Sequence, residues 1–106
     1  MPYDETQVVG YLRQSHDTKL LTDREKHLVG LAVTMTRGCQ VCTRNRIEKA
    51  RAAGFGDDVH NALVNVVSSV NAGVTAATAR EGFRMADAAA AEQPCTDLCA
   101  ADNGRG

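Results

Sequence analysis

The chain has 106 residues and a formal net charge of −1, with 12 Lys and Arg against 13 Asp and Glu, two Tyr, two Phe and no Trp. That length holds one small domain, and the charge balance argues against a nucleic-acid binder relying on broad electrostatics, which needs excess Lys and Arg on one face. No apolar run approaches the roughly 20 residues of a membrane span, and residues 1–14 lack the basic and apolar regions of a secretory signal, so a cytoplasmic location away from membranes is expected.

The chain reads as helix after helix, without the period-2 alternation of strands. A first helix is expected from about Glu5 to Gln14, with Asp4 as cap candidate, Tyr11 as core and Ser15-His16-Asp17 as connector. Thr22-Asp23-Arg24-Glu25 is a capping box, so a second helix follows to about Thr36. Its Leu28, Leu31, Ala32 and Met35 recur at helical spacing on one face, and Gly38 ends it. A third helix is expected from Cys39 to Ala53, stopped by Gly54. Gly56-Asp57-Asp58 opens a fourth, with carboxylates at the positive end of the dipole and Ala62, Leu63, Val66, Val67 and Val70 as its apolar stripe. Asn71-Ala72-Gly73 reads as its end. Thr75 then caps a fifth helix over residues 76–91, with Ala79, Phe83 and Ala86 inward and Pro94 beyond it. Alanine is abundant, and small side chains give a thin core, so self-association is expected.

Four Cys fall in two close pairs, Cys39/Cys42 and Cys95/Cys99. Cys39-Gln40-Val41-Cys42 at a helix start puts both thiols on one face, with Cα atoms about 5 Å apart, within disulfide range. Unpaired N–H groups at a helix N-terminus favour a thiolate. Arg46, one turn after Cys42, adds a cation on the same face. A reversible dithiol couple, two structural Cys, and half a zinc site are the competing readings.

The segment Leu21–Gly54, LTDREKHLVGLAVTMTRGCQVCTRNRIEKARAAG, resembles the carboxymuconolactone decarboxylase/alkylhydroperoxidase D superfamily. It carries that signature's apolar helix, Gly-Cys-x-x-Cys and following helix, and Val64-Asn65-Val66-Val67 and Asn71-Ala72-Gly73 also fit. The resemblance implies an all-α domain of four to six helices assembled into trimers or hexamers. For members with two Cys it implies thiol peroxidase or disulfide reductase activity with no cofactor. Cys42 would be the attacking thiolate on a hydroperoxide, Cys39 the resolving thiol, and a dithiol reductant such as a lipoyl protein would reset the pair. Helix-dipole reasoning alone favours Cys39 as the thiolate, and Arg46 tips the choice to Cys42. Redox members of the family place a Glu twelve residues before the first Cys and a His four after the second. Here those positions hold His27 and Arg46. His27 can act as a general base near neutral pH; Arg46 accepts no proton but can stabilise a thiolate.

The domain is expected over residues 1–94, with residues 95–106 as a Cys-containing tail outside the resemblance. Cys95/Cys99 reads as a tail disulfide, as a mobile dithiol exchanging with Cys39/Cys42, or as half of a four-thiolate metal site, the last with no familiar zinc spacing. His16 and His60 read as surface residues, and the Arg44/Arg46/Arg51 group as a solvated face. The commitment is a thiol-based redox enzyme; the alternative is a non-enzymatic sensor or metal/sulfur-binding protein using all four Cys. Lactone decarboxylation, also found in the superfamily, does not need a Cys pair.

Overall fold

Local capping chemistry sets where the helices of this chain begin and end. The structure, a computed structural model, describes residues 2–92. Among them all regular structure is helical: α1 (Thr6–His16), α2 (Asp23–Arg37), α3 (Gln40–Ala52) and α4 (Asp57–Glu92). The expected boundary at residue 94 and the pair Cys95/Cys99 lie outside the described residues.

Asp4 does cap α1, although it precedes the helix by two residues. Its Oδ1 accepts from the Thr6 backbone N–H at 3.0 Å and from the Thr6 hydroxyl at 2.6 Å. The Thr22 capping box forms as expected. Glu25 N donates to Thr22 Oγ1 at 3.1 Å, and Thr22 N donates to Glu25 Oε1 at 2.8 Å.

The carboxyl ends of α2 and α3 close in the same way. Gly38 takes a left-handed conformation with φ 76° and Gly54 one with φ 97°. At the first, Gly38 N donates to Met35 O and Cys39 N to Thr34 O; at the second, Gly54 N donates to Arg51 O and Phe55 N to Ala50 O. These are paired Schellman closures, which satisfy carbonyls left open at a helix end. Each turns the chain back, so α2 and α3 pack together.

By its contacts the chain divides into two units, one ending at Val67 and the other starting at Ser68. In the first, Leu31, Ala50 and Phe55 form the buried core, with Leu28, Met35, Ile47, Val59 and Leu63 packed against it. The α2 face read from spacing is therefore the face used. Tyr11, expected in the core, is 74% exposed.

In α4 several expectations need correction. The expected break at Asn71-Ala72-Gly73 is absent, and one helix of 36 residues replaces two. A mid-helix Gly costs only about 1 kcal/mol relative to Ala, and no residue there takes the left-handed conformation that ends α2 and α3. Thr75 does not cap a new helix; its hydroxyl donates to Asn71 O at 3.0 Å, one turn back. The core-facing side is Val59, His60, Leu63 and Val67, while Ala62, Val66 and Val70 are exposed. The stripe shifts because His60 is turned inward, 8% exposed, and Val59, Leu63 and Val67 follow at one-turn spacing. In the second unit Ala79, Phe83 and Ala86, expected inward, are all exposed. Arg84 is held by Glu81 there, at 2.6 and 2.9 Å.

Because its two expected halves are one helix, α4 contains an 18-residue window long and apolar enough, by length and composition only, to cross a membrane. Asn65, Ser68, Ser69 and Asn71 interrupt that stretch with polar groups that are costly in hydrocarbon.

Two measurements follow. A Cβ at Gly73 meets nothing within 4 Å, so Gly73→Ala is expected to raise stability by about 0.5–1 kcal/mol. A loss in urea unfolding would mean that the helix breaks there. The Glu25 carboxyl lies below its usual range because the Thr22 backbone N–H, then the Thr22 hydroxyl, favour its ionised form. A carboxylate with a lower pKa folded than unfolded stabilises above its ordinary pKa, and the gain is lost as pH falls through the depressed value. Glu25→Gln should therefore lower the melting temperature near neutral pH and converge on wild type in acid.

Candidate active site

The geometry of the Cys pair begins with Gly38. The Schellman closure delivers Cys39 in an extended conformation, φ −83° and ψ 100°, as the N-cap of α3. Every polar group of Cys39 is engaged. Its N–H donates to Thr34 O at 3.0 Å, and its carbonyl accepts from Thr43 N at 3.0 Å and Thr43 Oγ1 at 2.8 Å. Its Sγ accepts from Cys42 N at 3.2 Å, as a Ser hydroxyl would at an N-cap. Cys39 and Cys42 are joined by a disulfide, with Cα atoms 5.3 Å apart. Cys39 is half-buried and Cys42 exposed. The two sulfurs thus differ: one is fixed by the backbone, the other is open to solvent.

Cys39 opens onto a cleft of about 590 Å³ whose lining includes Met35 and Ile47 on the apolar side and Thr43, Arg44 and Arg51 on the polar side. Arg44 lies 3.9 Å from Glu48, and Arg51 lies 3.2 Å from Asp57, both on the surface. Those two arginines form the solvated face expected of them.

Arg46 does not share that face. It is half-buried, and its guanidinium packs over Gly30 of α2, where a Cβ would overlap it. Arg46 and His27 line a second cleft, of about 430 Å³, between α1, α2 and α3. His27, read as a possible general base, and Arg46, read as a thiolate stabiliser, therefore come together in space, while Cys39 lines the first cleft. His27 is also half-buried, with its ring edge-on to Phe55 at 5.4 Å between centroids.

Phe55 and His60 were not legible as parts of this region. His60, read as a surface residue, is buried 6.1 Å from Phe55 between ring centroids. Its Nδ1 bonds the Gly56 carbonyl at 3.1 Å, and since a carbonyl only accepts, Nδ1 carries the proton. Its buried Nε2 has no hydrogen-bond partner among the described residues. The Arg24 guanidinium lies over the Phe55 ring at 4.8 Å. The one available signal was Gly54-Phe55: a left-handed glycine followed by an apolar residue that folds back on its own helix. His16 is exposed, as expected, and ends α1 with Nδ1 2.8 Å from Leu12 O.

Among the described residues no group of three or more His, Cys, Asp or Glu is placed to hold a metal ion. The alternative that recruits Cys95 and Cys99 to a metal falls partly outside them.

A model of the carboxymuconolactone decarboxylase family matches residues 7–85. No curated protein and no solved structure matches the chain.

The N-cap geometry has a measurable consequence for the reduced protein. The alkylation rate of Cys39, followed in Cys42→Ser, is expected to turn at lower pH than that of Cys42 in Cys39→Ser, because a backbone N–H favours the thiolate of Cys39. Coincident curves near pH about 8.5, the value of a free thiol, would show that the cap does not activate it.

Proposed function

Because the chain belongs to the carboxymuconolactone decarboxylase family, which includes enzymes of both lactone decarboxylation and peroxide reduction, we propose that it is a thiol-dependent redox enzyme cycling Cys39 and Cys42 between dithiol and disulfide. The observation that carries this reading is the asymmetric pair: a disulfide between a backbone-fixed Cys39 and an exposed Cys42. Decarboxylation of a lactone needs no such pair.

In the peroxidase cycle the Cys42 thiolate attacks the outer oxygen of an organic hydroperoxide. The O–O bond breaks, the alkoxide takes a proton and leaves as alcohol, and Cys42 becomes a sulfenic acid. The Cys39 thiolate then attacks the Cys42 sulfur; hydroxide leaves, is protonated to water, and the disulfide forms. An external dithiol, of the kind a lipoyl protein carries, attacks exposed Cys42 and expels Cys39; its second thiol then displaces Cys42, and the reductant leaves as a disulfide. The hydrogen bond from Cys42 N to Cys39 Sγ stabilises the leaving Cys39 thiolate. As a disulfide reductase the Cys42 thiolate attacks a substrate disulfide and expels one of its thiols, Cys39 then displaces the other as the Cys39–Cys42 disulfide forms, and the same external dithiol resets the pair.

His27 supplies the proton-handling group in this reading, and Arg46 the fixed positive charge beside it. Their shared cleft supports a paired role. We place the enzyme in the cytoplasm as a homo-oligomer, trimer or hexamer. The exposed Val66, Val70 and Val74 on α4 support a second copy packing there.

The test is consumption of cumene hydroperoxide with dihydrolipoamide as reductant, using the full chain. Turnover is expected in the wild type. Cys42→Ser should abolish it, Cys39→Ser should stop after about one equivalent, and His27→Asn should slow it by about 10²-fold, the lower end of general acid–base effects. A wild type that turns over neither hydroperoxide nor disulfide would sink the proposal.

A further inference from the structure

The second cleft has a charge that the chain as a whole does not. Arg13 from α1, Lys26 from α2, and Arg46 and Lys49 from α3 line it, against a single carboxylate, Asp23. Four cations against one anion leave a local excess of three positive charges, in a protein whose net charge is −1. Asp23 does not neutralise the cleft. It is 96% exposed and reaches only Lys26, at 3.8 Å. Lys26 is otherwise turned to the His16 carbonyl, to which its Nζ donates at 2.5 Å.

The other three cations are unsatisfied. Among the described residues the guanidinium groups of Arg13 and Arg46 and the ammonium of Lys49 make no hydrogen bond or ion pair. For exposed Lys49 and Arg13 water suffices. For Arg46 the position is different, because it is half-buried and its guanidinium sits over Gly30 of α2. That approach exists only because residue 30 is glycine: Gly30 is buried, and a Cβ there would occupy the guanidinium's place. An arginine seated on a glycine, at the wall of a cleft with two more free cations, presents a planar donor fork to whatever enters.

We propose that this cleft is a binding site for a doubly charged oxyanion group, carried as a phosphate monoester or as a dicarboxylate. Arg46 supplies the bidentate contact, Lys49 and Arg13 the remaining charge. Gly30 is a positioning residue that acts through Arg46. Leu12 and Ala53 on the same lining give an apolar surface for the rest of such a ligand. Two of its lining residues, His27 and Arg46, are those given roles in the redox cycle above, but anion binding is read without turnover and stands whether or not the chain reduces hydroperoxide.

The test is a titration of the full chain with inorganic phosphate and, separately, with succinate, followed by two-dimensional ¹⁵N NMR. Saturable shifts are expected at Gly30, His27, Arg46 and Lys49. Saturation by phosphate alone assigns a phosphoryl group, saturation by succinate alone a dicarboxylate, and by both the shared charge pattern; each supports the site. Arg46→Gln should weaken binding about tenfold, as expected for loss of a charge-assisted bidentate contact. Gly30→Ala should weaken it comparably without removing any charge, which a general counterion effect cannot do. Lys49→Gln, at an exposed position, provides a variant whose folding is not at risk and should weaken binding by a smaller factor. Arg84→Gln, in the other unit, should leave it unchanged, and Cys42→Ser should also bind normally. Failure of both anions to saturate, or shifts equally strong in Arg46→Gln and Lys49→Gln, would overturn the proposal.

Discussion

The left-handed turn at Gly38 is the constraint on which the rest of the first unit depends. It ends α2 and satisfies two of that helix's open carbonyls, and its second hydrogen bond is donated by Cys39. The residue that finishes one helix is thereby the cap of the next. A side chain with a Cβ would be strained at φ 76°. Without that turn the sulfur of Cys39 would not meet the N–H of Cys42, and α3 would not fold back along α2 to bury Leu31 against Ala50. The position of the Cys39–Cys42 pair and the packing of the core are consequences of one backbone conformation.

The same device, repeated at Gly54, performs a different task. There the residue after the glycine is Phe55, and the closure drives its ring into the core. Around it gather His27 edge-on, His60 from the first turn of α4, and Arg24 over the ring face. A ring with a negative face and positive edge accommodates these neighbours without competing hydrogen bonds. In a chain with so few aromatic residues, this single Phe joins α2 to the start of α4. It also fixes the orientation of His27, whose helix carries it to the wall of the cationic cleft.

What was legible in the sequence is what a few neighbouring residues decide among themselves. The Thr22–Glu25 box, the stops at Gly38 and Gly54, the Leu28–Leu31–Met35 face and the Cys39/Cys42 spacing involve partners within about one turn, and all four appear as read. What was not legible depends on how separate elements and turns come together. His60 looks like a surface residue until Phe55 folds over it. Arg46 looks like part of a solvated arginine face until α2 offers it a glycine to lie on. Tyr11 looks like core in a chain short of aromatics, yet it stays exposed. The break assigned to Asn71-Ala72-Gly73 failed for another reason: weak helix formers were read as a stop, although no cap or left-handed residue accompanies them.

The disulfide closes a ring with a sequence separation of only 3. The entropy that a cross-link removes from the unfolded chain grows with the length of loop it closes, so this bridge restrains the unfolded state about as little as any can. The hydrogen bonds that hold Cys39 come from backbone and Thr43 rather than from the bridge. Fold and oxidation state are therefore nearly independent ledgers. Electrons can enter and leave the pair without changing how much of the protein is folded, so its abundance need not follow the redox balance around it.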